Sequence, residues 1–161
     1  MKIFTSEKQK VGLIGENIAK RFLMKHNFTI IEQNFGTRFG EIDIVSERLG
    51  RIYFFEVKTI NVSHETQSFH VPRETNNLNV PHETNLSQRR EQFIKENRII
   101  SNPFQNISRS KIQKFIKTVQ IYLKVKNVSR ETPWQMDGIA IFLDLENKKA
   151  TIKHLSNIGI L

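Results

Sequence analysis

Three strand-like runs, Phe28 to Phe35, Glu41 to Glu47 and Arg51 to Ile60, follow one another with Gly36, Gly40 and Gly50 in or beside the connections. Links this short cannot carry a crossover helix, so neighbouring runs must pair antiparallel and the chain is committed to a sheet early. Side chains alternate across a strand. The second run is therefore expected to set Ile42 and Ile44 on one face and Glu41 and Asp43 on the other. In the third, Phe55 and Val57 should oppose Phe54, Glu56 and Lys58.

On both sides of these runs the apolar period changes to that of a helix. Residues 7 to 26 carry Val11, Ile14, Ile18 and Phe22, with Gly15, Ala19 and Leu23 beside them, and Ser6 stands where an N-cap is needed. Gly12 and Gly15 each weaken such a helix by about 1 kcal/mol relative to Ala, so a packing or functional reason is expected for them. The helical period returns from Ser108 to Lys126, with Ile112, Phe115, Ile116, Val119, Tyr122 and Leu123 as its stripe. Strands over 135–145 and 150–155, joined by an Asn147-Lys148 turn, close the chain. The order α, β, β, β, α, β, β predicts one α/β domain with a mixed sheet flanked by helices.

Residues 61–107 do not fit that scheme and read as a long polar insertion. A hexapeptide recurs there as NVSHET at 61, HVPRET at 70 and NVPHET at 79, and again as NVSRET at 127. The unit is too short and polar for a solenoid. Val-Ser-Arg-Glu-Thr can be encoded by GTTTCACGTGAAAC, which is its own reverse complement and looks like the palindromic partition site of bacterial chromosomes. On this hypothesis the repeat records invading DNA and serves no protein function; synonymous codons that break the palindrome would refute it. A short helix over 88–100 is a further expectation.

Charge narrows the class of partner. Twenty-five Lys and Arg against 16 Asp and Glu leave a net +9, of which residues 108–161 hold +6. Arg109, Lys111, Lys114, Lys117, Lys124 and Lys126 accompany the second helix without one acid, which predicts a polyanion, DNA, as partner, with Lys111, Lys114 and Lys117 on its phosphates. No apolar run approaches the roughly 20 residues that span a bilayer, so no membrane contact is expected. With no cysteine, disulfides, thiolate zinc sites and cysteine nucleophiles are excluded, and a cytoplasmic location follows as the expectation. A homodimer is compatible with all of this.

Chemistry concentrates in GEIDIV at 40–45 and FFEVKT at 54–59. Strand interiors seldom carry carboxylates, yet Asp43 and Glu56 lie in adjacent strands, within reach of one hard divalent cation such as Mg²⁺ or Mn²⁺. The Val57 carbonyl could add an oxygen. An ion held there polarises a phosphodiester, and Lys58 has the charge and reach to stabilise the transition state. The bland alternative is that Glu-x-Lys marks the solvated face of an edge strand. Glu41 reads as a strand-edge residue. His64, His70 and His82 follow the repeat and match no compact ligand spacing, and neither a nucleophile elbow nor a phosphate-binding glycine loop is present. Trp134 and Tyr122 read as core or rim aromatics.

Taken together, GLIGENIAKRFL at 12–23, GEIDIV, FFEVKT and the helix ending in Ile121-Tyr122-Leu123 resemble the YraN family of uncharacterised bacterial proteins. That family is similar to archaeal Holliday-junction resolvases and the PD-(D/E)xK nuclease superfamily. The resemblance covers residues 7–60 and 108–158. It implies a restriction-endonuclease-like core and a metal-dependent endonuclease acting on DNA, branched or otherwise structured. By position it implies metal-binding carboxylates at Asp43 and Glu56, a catalytic Lys58, and an assisting carboxylate at Glu16 toward a second metal or a water. The insertion directly after the catalytic strand departs from the family's compact form. The alternative is a non-catalytic nucleic-acid-binding or scaffold protein on the same fold.

Overall fold

The computed structural model describes residues 6–62, 103–104 and 107–158. The hexapeptides at 70 and 79, most of that at 61, and the helix expected over 88–100 lie outside these residues.

Helix α1 spans Glu7–Lys25, strands β1 Thr29–Thr37, β2 Gly40–Arg48 and β3 Arg51–Asn61, helix α2 Arg109–Val125, and strands β4 Trp134–Asp144 and β5 Lys149–Leu155. The expected element order holds among the described residues. The five strands form one sheet in sequential order, with β1–β2, β2–β3 and β4–β5 antiparallel and β3–β4 parallel. The parallel pair needs a crossover, and α2 supplies it.

Both helices are bounded by local chemistry. Ser6 caps α1 in a reciprocal box with Gln9, and Ser108 accepts from the Lys111 N–H at the start of α2. Each helix stops at an asparagine in the left-handed region, Asn27 at φ 64° and Asn127 at φ 50°. The next residue then donates back into the last helical turn: Phe28 N–H to the Leu23 carbonyl at 3.0 Å, Val128 N–H to the Leu123 carbonyl at 3.0 Å. The hexapeptide copy at 127 is thus a helix stop whose Val128 packs on the core. That corrects the expectation that all copies lack a role in the protein.

Each face of the sheet holds one apolar cluster. Ile42, Val45, Ile52, Phe54 and Met136 meet Phe115, Val119 and Tyr122 of α2. Ile44, Phe55, Ile139 and Ile141 meet Ala19 and Leu23 of α1. The buried stripe of α1 is Gly15, Ala19 and Leu23, while Ile14 stays 40% exposed, so the helix is turned from the stripe centred on Ile14 and Ile18. Gly15 explains the rotation, since a Cβ there would lie 1.7 Å from Thr59 Oγ1. Gly12 has no neighbour within 4 Å, and nothing in the structure explains it. On the α1 side Asp137 is fully buried, and its carboxylate accepts from Gln135 Nε2 at 2.8 Å and the Asn157 N–H at 2.8 Å, with His154 Nε2 at 2.7 Å. Three such partners offset the cost of burying a carboxylate. Among the described residues no helix is long and apolar enough to cross a membrane.

Candidate active site

The β2–β3 ladder runs from Arg48↔Arg51 to Ile44↔Phe55, and beyond it Asp43 takes over the pairing: its Oδ2 accepts the Val57 N–H at 2.6 Å. A side chain thus occupies the place of a main-chain acceptor, and the alternation of β2 slips by one. Ile42 therefore joins Phe54 on the α2 side, whereas Ile44 joins Phe55 on the α1 side. This corrects the expectation that the two isoleucines share a face. Across from the slip, in β1, Asn34 takes a left-handed φ of 55°.

The slip opens the sheet where the acids meet. Asp43 lies within electrostatic range of Glu56, Glu16 and Glu41. With its amide nitrogen turned inward, Asn34 donates to Glu16 Oε2 and Glu41 Oε1, each at 3.2 Å, tying α1 to β2. Burial first, and then the three carboxylates, push the Asp43 carboxyl from its ordinary 3.8 up to about 7, against the opposing pull of the Val57 N–H. Glu56 is largely buried and pairs with Lys111 of α2. Lys58 donates to the Pro103 carbonyl at 2.8 Å, with its ammonium 4.8 Å from the Phe104 ring centroid. Burial and then Lys111 hold its amine below the usual lysine range, partly offset by Glu56. Phe104 in turn sits on β4, where a Cβ on Gly138 would lie 2.7 Å from its Cζ.

The residues expected from the sequence therefore fall into one neighbourhood: Glu16, Asp43 and Glu56 by mutual charge, Lys58 by its coupling to Glu56. Lys111 is exposed on α2 and its ammonium pairs with Glu56, a contact the sequence does not show. Lys114 and Lys117 are exposed on α2. Among the described residues no three acidic or imidazole side chains converge into a metal cage of their own. The donor chemistry still fits a hard cation, since Mg²⁺ takes one or two carboxylates and keeps several waters, and the buried Asp43 carboxyl lies among three further acids whose repulsion a cation would relieve. Sequence reading did not single out Asn34, Pro103 and Phe104. Asn34 left a trace, a polar turn-former inside a strand; the other two are visible only through contacts from distant chain.

Comparison with known proteins finds relatives of this chain. The pattern of the uncharacterised protein family UPF0102 matches residues 15–79, which include GEIDIV and FFEVKT. A UPF0102 protein of a Nitratiruptor species is 30% identical over 151 residues, covering 94% of this chain and 94% of that protein. One from Campylobacter hominis is 28% identical over 94% of this chain and 95% of its own length. A third, from Caldicellulosiruptor bescii, is 49% identical over 51 residues, 32% of this chain and 43% of that protein.

Proposed function

We propose that this chain, which belongs to the uncharacterised protein family UPF0102, is a metal-dependent endodeoxyribonuclease acting on structured DNA. The observation that carries the reading is the Asp43 carboxylate seated on the Val57 N–H at 2.6 Å, beside Glu56 and one residue step from Lys58. Asp43 and Glu56 would hold Mg²⁺ or Mn²⁺, which supplies Lewis acidity toward a phosphodiester and toward water. The remaining work falls to the chain. Lys58 leaves the Pro103 carbonyl and sets its ammonium against charge developing on the phosphate, a contribution often worth a few kcal/mol. Glu16, oriented by Asn34, holds or accepts a proton from water at its Oε2. Lys114 and Lys117 bind flanking phosphates.

A second reading, a DNA-binding protein without catalysis, is favoured by one observation: Glu56 and Lys58 are both engaged by their own chain. One assay separates the two. Duplex, flap and four-way DNA are incubated with Mg²⁺ and the parent, Asp43→Asn or Lys58→Ala proteins. Cleavage by the parent is expected to vanish in Asp43→Asn with DNA binding retained. Lys58→Ala should lose about 100-fold in rate and keep Mg²⁺ binding by calorimetry. A parent that binds DNA yet neither binds Mg²⁺ nor cleaves any substrate would leave the non-catalytic reading.

A further inference from the structure

The β1–β2 hairpin turns through Arg38 and Phe39, and Phe39 belongs to neither apolar cluster. Two cations approach its ring, with Arg38 Cζ 4.8 Å and Lys117 Nζ 5.3 Å from the centroid. The turn is fixed to α2: the Phe39 N–H donates to Thr37 Oγ1 at 3.1 Å, Thr37 Oγ1 meets Thr118 Oγ1 at 3.2 Å, and Thr118 Oγ1 donates to the Lys114 carbonyl at 3.0 Å. The hairpin tip that carries this ring, outside both apolar clusters, is thus tied to α2 by hydrogen bonds.

Two lysine contacts fix where this tip lies relative to the acids. Lys111 touches Glu56 and Lys117 touches Phe39, and the two lysines stand six residues apart on one helix, about 9 Å at helical rise. Lys114 lies between them. Along β2, Phe39 is four residues before Asp43, about 13 Å at strand rise. A row of cations therefore connects the ring to the carboxylates.

We propose that Phe39 is a stacking site for an unpaired base, and that the substrate is DNA with a single-stranded segment whose phosphates follow Lys117 and Lys114 toward Asp43 and Glu56. This rests on the nuclease reading for the far end of the path. The ring already accepts a planar π group in the Arg38 guanidinium, whose exposed side chain a base can displace. Bases inside a duplex are stacked on one another and offer no face to the ring. An unpaired base does, and alternating cations with an aromatic platform is how single strands are held without sequence preference. The displaced guanidinium remains beside the strand as a phosphate partner.

The experiment measures binding in EDTA by fluorescence anisotropy, using labelled oligothymidylate of about 15 nucleotides and a mixed-sequence duplex of equal length. Phe39→Ala is expected to weaken single-strand binding by about 5- to 150-fold and duplex binding by less than about 2-fold. Its salt slope should stay unchanged, since no charge is removed. Phe39→Leu keeps apolar bulk without a π face and should lose the same affinity; Phe39→Trp should restore it. Full affinity in Phe39→Leu, or equal losses for single strand and duplex, would overturn the proposal. Because no Mg²⁺ is present, a missing cleavage activity cannot produce either result, and an inactive protein that still shows the single-strand loss would sink the nuclease reading alone.

Discussion

Asp43 is pulled in opposite directions by its neighbours, and the balance makes the fold sensitive to pH. Burial and three acids raise its carboxyl to about 7, while the Val57 N–H favours the ionised form. Because the folded value lies above the unfolded one, Asp43 contributes stability fully below about pH 4 and loses it as pH rises through 7. Asp43→Asn has no charge to lose. In EDTA the variant is expected to melt above the parent by a margin that grows from pH 5 to pH 8, read by differential scanning fluorimetry. A margin independent of pH would contradict the raised carboxyl. By the same linkage, the gain in melting temperature from Mg²⁺ should be larger at pH 8 than at pH 5, since at low pH the ion must displace a proton from Asp43.

At the scale of elements, α1 and α2 approach the sheet by different means. Gly15 lets α1 lie against Thr59, the residue after Lys58, whereas Gly12 faces open space. The same substitution should therefore act with opposite sign at the two positions. Gly12→Ala is expected to stabilise by up to about 1 kcal/mol through helix propensity. Gly15→Ala must push helix and strand apart, and overpacking of that kind costs about 1–3 kcal/mol, a melting temperature lower by roughly 2–12 °C. For α2 the charges divide by partner. Lys114→Gln with Lys117→Gln should lower the slope of log K against log salt on duplex DNA by about 2, at roughly 0.9 for each phosphate no longer neutralised. Adding Lys111→Gln should change it little, because that ammonium is already paired with Glu56. A further drop of similar size on removing Lys111 would place it on phosphate instead.

For the whole molecule, the chain between β3 and α2 can be shortened only up to its anchor. Its charge is balanced, and loop-closure entropy changes by only about 0.6 kcal/mol per halving of length, so replacing residues 63–102 with a short Gly/Ser linker is expected to keep the melting temperature within a few degrees. Extending the deletion through 104 removes Phe104 from Gly138 and the Pro103 carbonyl from Lys58, and should cost stability as well as alter the lysine's environment. Equal melting temperatures for the two deletions would deny Phe104 that role. The helices, the strands and their antiparallel sequence were legible because period, caps and glycine-marked turns are local signals, each written within a few residues. Asp43, Glu56 and Lys58 were legible for the same reason: carboxylates and a lysine inside apolar strands announce themselves. The slip at Asp43 was not, since it depends on a side chain outcompeting a main-chain acceptor for the Val57 N–H across two strands. Nor were the pairing of Lys111 with Glu56, 55 positions away, and the shelter of Lys58 beneath Pro103, 45 positions away. Local pattern sets which face of an element is apolar; which polar atoms then compete for one another is settled only when distant elements are packed together and water is excluded.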